Sequence, residues 1–206
     1  MFAPPAERTS DMTIPSYPNL KSLPSAVRDQ LAAGIVDPDH VTLAPNLRLC
    51  RFTDRQYGPD QGLISPWWMT ENDFNKIVAA REHSRRAHGG DKSRSLSMGF
   101  LARWAAAVPQ EWQQDGGTSK SNTVDLLLRA DLRVSVDAFV GRGRAQREQS
   151  PNGITVTWSG WPSITQLFIP AFSLKQQPPA TLHDVLQMLS VGAPTYVTSH
   201  QLYART

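Results

Sequence analysis

The chain has one cysteine, Cys50. That excludes an intramolecular disulfide and a zinc site built on cysteines. A lone cysteine in an apolar strand reads as a small buried hydrophobe. Long hydrophobic runs are missing too, since no apolar stretch approaches the ~18 residues a membrane-spanning helix needs. Residues 1–13 hold no basic start followed by an apolar run. No secretory signal peptide is expected. The chain reads as made in a reducing cytoplasm, with delivery into another cell left open.

Excess charge is scarce: 21 Lys+Arg against 18 Asp+Glu leave a net +3 over 206 residues. This bias permits an anionic ligand and gives no argument for nucleic acid. Acidic residues thin out toward the C-terminus, where only Glu148 and Asp184 follow Asp137. A hydrolase working through paired carboxylates is therefore not expected. There is no G-x-x-x-x-G-K-[ST] loop, no G-x-G-x-x-G opening a helix, and no G-x-S-x-G elbow. The histidines, His40, His83, His88, His183 and His200, show no ligand spacing, so no metal is expected.

What is present is 40% apolar residues, 16 prolines, 13 glycines and 6 tryptophans. The length suits one domain with its own core, and the prolines and glycines imply short elements joined by shaped turns. Residues 1–20 carry Pro4, Pro5, Pro15 and Pro18 with few aliphatics and read as a flexible or wrapped arm, leaving 21–206 as the domain. A helix is expected over Ser22–Gly34, with Ser22 as cap and Val27 and Leu31 on one face. Leu47–Phe52 alternates as a strand with Leu47, Leu49 and Arg51 on one face. Gln56–Met69 reads as a turn-rich loop ending in Trp67 and Trp68. Thr70 caps a helix to about His83, and the basic His83–Arg94 stretch reads as a solvated loop. A second helix follows Ser97.

Val124–Val136 reads as one long strand or two bent near Ala130, and Gly141-Arg142-Gly143 as a turn. Gly153–Trp158 and Ser163–Ile169 read as strands, Thr181–Leu189 as a capped helix and Tyr196–Tyr203 as a last strand. Helices followed by runs of strands predict an α+β fold, with helices packed on a mixed or antiparallel sheet.

Three short segments carry a further pattern. Leu49-Cys50-Arg51-Phe52 is an apolar strand with one arginine, Ser95-Leu96-Ser97 precedes a helix, and Ser163–Pro170 is an apolar strand that begins polar and ends in proline. Their order resembles the signatures of the Arg-Ser-Glu class of ADP-ribosyltransferases, over about 48–171. The resemblance implies NAD as substrate, a bacterial effector or toxin domain, and a macromolecular target. It implies Arg51 and Phe52 as NAD contacts, with Trp67 or Trp68 stacking on its rings. It implies Ser97 as the supporting serine, with Ser119 and Ser121 as competitors. Gln166 stands where that family has its catalytic glutamate. It can keep the hydrogen bond and supplies no charge, and such electrostatic stabilisation is worth several kcal/mol in rate. Glu148 is the one late glutamate that can substitute.

Each residue also has a plainer reading. Arg51 can pair with a carboxylate at a strand end, Gln166 can sit across strands, Ser97 can be a helix cap, and Trp67 or Trp68 can anchor the core. The arginines 81, 85, 86 and 94 with Lys92, and 142, 144 and 147, can simply be solvated. The competing function is a non-catalytic module binding a protein partner through Trp67, Trp68, Trp158 and Trp161.

Overall fold

The computed structural model describes residues 14–91, 94–108, 111–113, 119–121, 124–149 and 153–198. In chain order the elements are α1 (Ser25–Gly34), β1 (Ile35–Leu43), β2 (Arg48–Thr53), α2 (Gly58–Leu63), β3 (Trp67–Thr70), α3 (Glu71–Ala87) and α4 (Met98–Ala105). Then come β4 (Glu111–Gln113), β5 (Ser119–Ser121), β6 (Leu126–Leu132), β7 (Val136–Gly143), β8 (Gln146–Gln149), β9 (Thr155–Trp158) and β10 (Gln166–Phe168). The chain closes with α5 (Leu182–Met188), β11 (Leu189–Val191) and β12 (Thr195–Tyr196). The main sheet runs β1-β7-β10-β3-β2-β6-β11, with β12 also on β6. All its pairings are antiparallel. The fold is thus α+β on an antiparallel sheet. β4–β5 and β8–β9 are separate hairpins.

Strand alternation sends side chains to two apolar layers. Leu49, Trp68, Leu128 and Leu167 face one layer, closed by Leu63 of α2, Val185 and Met188 of α5, and Phe172. On the other face, Cys50, Met69 and Leu127 meet Phe74 and Ile77 of α3 and Leu101 and Ala105 of α4. Further along that face, Phe139 and Phe168 meet Val27 and Leu31 of α1.

The capped helices form where their caps predict: Thr70 accepts from the Asp73 amide, Ser97 from Phe100, and Thr181 from Asp184 in a capping box. Elsewhere the structure corrects the expectations. α1 starts at Ser25, and Asn19, not Ser22, caps the short 3-10 turn before it. α3 continues through the basic stretch to Ala87, because Arg and Ala are strong helix formers. The supposed turn-rich loop holds α2 and β3.

Val124–Val136 is not one strand. β6 and β7 pair with different neighbours in separate halves of the sheet. Gly141 and Gly143 lie within β7, not in a turn. There β1 bulges at Asp37 (φ 47°) and comes so close that a Cβ on Gly141 would stand 2.4 Å from Ile35 Cγ2 and 2.8 Å from the Val36 carbonyl. The last strand is only Thr195–Tyr196, and residues 199–203 of that expectation fall outside the described residues. Residues 14–18 of the arm are not free, since Tyr17 is buried against the α1 layer. Residues 1–13 lie outside the described residues. No described helix is long and apolar enough to cross a membrane.

Candidate functional site

Arg51 sits on β2 opposite Leu128 of β6 and shares its sheet face with Leu49. Alternation therefore drives a guanidinium into the apolar layer under α2 and α5. Its Nη1 donates to the Trp67 carbonyl at 2.6 Å, while its Nε is buried with no hydrogen-bond partner. Among the described residues no carboxylate pairs with it, unlike Arg48 and Arg55, which pair with Asp131 and Asp125. Burial pushes the Arg51 pKa down to about 10, so the group stays charged at neutral pH. A buried cation without a counter-charge is costly in a fold. The sequence alternative, a strand-end arginine paired with a carboxylate, does not describe it.

Gln166 leaves β10 on the opposite sheet face, alongside Phe168 of the α1 layer. It is 8% exposed, and its Nε2 donates to the Ala106 carbonyl at the C-terminal end of α4. Gly143 makes room for it, since a Cβ there would stand 2.6 Å from Gln166 Nε2. Its side chain is thus committed to holding α4 on the sheet. Ser97 caps the other end of α4, accepting from the Phe100 amide at 3.1 Å. Nine residues of helical rise put ~13 Å between the two ends.

Glu148 is placed by the β8–β9 pair. It lies on β8, 7% exposed, and accepts from Trp158 Nε1 at 2.8 Å. The Arg103 guanidinium lies 5.6 Å from the centre of the Trp158 ring, and Phe100 stacks edge-on to the same ring. Glu148, Gln166 and Ser97 are therefore gathered around α4.

The aromatic residues divide as well. Trp68 faces the Arg51 layer and meets Phe172. Trp67 packs on Phe168 and Phe52 on Phe74, both on the α1–α3 side. The structure thus brings the arginine strand and the glutamine strand to the two sides of one strand, β3. At ~4.8 Å per pairing this puts them ~10 Å apart, yet it sends their side chains to opposite faces.

Ser65, at the entry to β3, was missed in the sequence because it sits inside what looked like a loop. Its carbonyl accepts from Trp68 Nε1 at 2.8 Å, and its Oγ accepts from the Trp67 amide at 3.4 Å. Ser119 and Ser121 lie on β5, in a hairpin apart from the main sheet. Among the described residues no group of His, Cys, Asp and Glu is arranged to hold a metal.

No family model matches the chain, and no curated protein matches it. A solved structure described as Rhs1-CT in complex with cognate immunity protein RhsI1 is similar over 80% of this chain and 84% of that chain. The TM-score is 0.40 and the identity 11%, a likeness too slight to fix a fold family or a function.

Proposed function

We propose that the protein binds NAD through Arg51, as a domain of the ADP-ribosyltransferase type in which Gln166 has lost the catalytic role. The observation that supports this is the Arg51 guanidinium, charged, half-buried on an apolar face, and left with a buried Nε that no described residue satisfies. Such a group is a cost that an anionic ligand removes, because charge-assisted hydrogen bonds to phosphate are the strong ones. The dinucleotide's pyrophosphate is an anion of that kind, and Trp68 lies buried on the same face.

ADP-ribose transfer needs charge near the departing nicotinamide. Gln166 is neutral and turned toward α4. Turnover in this reading is therefore weak, and binding is the property to measure. Calorimetric titration of NAD into wild type and Arg51→Ala tests it. A saturable heat in wild type that is at least about tenfold weaker in the variant is expected, the loss of one charge-assisted contact.

A second reading, binding to an acidic face of a protein partner, is favoured by one patch. Trp104 and Leu96 are 39% and 38% exposed, and Trp104 stacks with Phe100 and Trp161. The Leu96 amide donates to Ser84 Oγ near the arginine-rich end of α3, where Arg85 and Arg86 are exposed. Tryptophan and arginine together are the residues that anchor protein interfaces. A partner that binds this way loses affinity in Trp104→Ala and with rising salt, and keeps it in Leu174→Ala, a remote exposed apolar residue. Loss in Leu174→Ala alone would remove the patch from consideration.

A further inference from the structure

The stretch from Ile14 to Pro18 reaches the fold in an unusual way. Among the described residues no backbone–backbone hydrogen bond ties it to a strand or helix. Ile14 packs against the layer of Leu49 and Leu128, and the rest of the segment is held at two further points. At the first, one Asp137 oxygen accepts from Ser16 Oγ at 2.8 Å and from the Tyr17 amide at 2.7 Å. The other Asp137 oxygen is held by His40 Nε2 at 3.0 Å and Thr42 Oγ1 at 3.4 Å, both from β1. At the second, Tyr17 drops into an apolar slot lined by Val27, Leu31, Phe139 and Phe168. At its base the phenol donates to Gln176 Oε1 at 3.1 Å. Gln176 is itself oriented, because its Nε2 donates to the Ala171 carbonyl at 2.9 Å.

The receptor is therefore complete without the arm: an oriented carboxylate, an apolar slot and an oriented amide at its base. The occupant contributes a hydroxyl, one backbone N–H and a phenol, between Pro15 and Pro18. Prolines reduce the freedom such a segment loses when it docks.

We infer that this slot is a recognition site for an extended Ser-Tyr peptide segment, filled here by the chain's own arm acting as a detachable strap. Trp67 packs against the same layer, and its carbonyl holds Arg51. Strap and arginine thus share one neighbour, although the inference stands without the NAD reading.

The test uses the full chain carrying Tyr17→Ala, which empties the slot and leaves the receptor residues intact. The probe is a fluorescently labelled peptide spanning residues 14–20, read by anisotropy. Saturable binding to the variant is expected, at least about tenfold tighter than to wild type, whose slot is occupied. Adding Asp137→Asn should weaken it about tenfold again, and the peptide carrying Tyr17→Ala should not bind. A folded variant that fails to bind the peptide would overturn the inference. Should Tyr17→Ala not fold, amide exchange of wild type decides. A strap opens on its own, so the Tyr17 amide should exchange at least about tenfold faster than that of Leu128 in β6. Equal rates would make the arm part of the core and end the proposal.

Discussion

Arg51 and Gln166 sit on strands that flank the same neighbour, and the fold treats them in opposite ways. The Gln166 side chain is satisfied, although Arg103 of α4 nearby also keeps a buried Nε with no hydrogen-bond partner among the described residues. The amide donates to Ala106, Gly143 clears the space, and the aromatic ring of Trp158 and the Glu148 carboxylate close the surroundings of α4. Around Arg51, among the described residues, no carboxylate compensates the charge and no acceptor meets the buried Nε–H. The first pattern is that of structure, where polar groups are buried only when satisfied. The second departs from that rule, and departures of this kind concentrate where a ligand completes the set. A polar residue within a motif is thus no guide to a site until its partners are known.

The largest effect expected from this contrast is at Gln166. Gln166→Glu places a buried carboxylate against the Ala106 carbonyl and should destabilise by about 3 kcal/mol, measured by urea unfolding. The same protein should release no more nicotinamide from NAD than wild type. A gain in that release would put residue 166 at the reacting centre and break the contrast. Next is Gly143→Ala, whose Cβ meets Gln166 Nε2 and the Ala106 carbonyl and should cost about 2 kcal/mol by overpacking. A neutral result would mean that α4 is held loosely.

On the other side the sign reverses. Arg51→Met exchanges a half-buried cation, with no carboxylate partner among the described residues, for an apolar chain of similar length. It should raise stability by about 1 kcal/mol in thermal unfolding, a residue that costs stability while serving binding. The smallest effect concerns the strap. Burial pushes the Asp137 carboxyl up, and the hydrogen bonds from Tyr17, Ser16 and His40 outweigh it, so its pKa sits below the ordinary value. A depressed carboxylate stabilises above its unfolded pKa, and that stabilisation disappears as pH falls through the folded one. Tyr17 amide protection should therefore hold at neutral pH and fall below about pH 4, while β6 protection persists.

Much of the helical framework was legible, because Thr70, Ser97 and Thr181 each precede an apolar stripe and accept the expected amide. β2 was legible from its alternation, including the face that Arg51 takes. β1 was not, since Asp37, Pro38 and Asp39 break its pattern, and only an edge strand with a bulge accommodates them. β7 was obscured by Gly141 and Gly143, which serve close packing and not chain reversal. The site was less legible than the fold. The face of Gln166 depends on register with β3 and β7, and the missing partner of Arg51 depends on which carboxylates the sheet brings near. Neither is a local property of the chain.

Arg51 is proposed here as an anion receptor and not a core residue. That role is tested most directly by calorimetric titration of NAD into wild type and Arg51→Met, with thermal unfolding of both. Saturable heat is expected in wild type and none in the variant, although the variant unfolds at the same or a higher temperature. Wild-type protein that is folded yet gives no heat at millimolar NAD would contradict it, as would equal affinity in the two proteins.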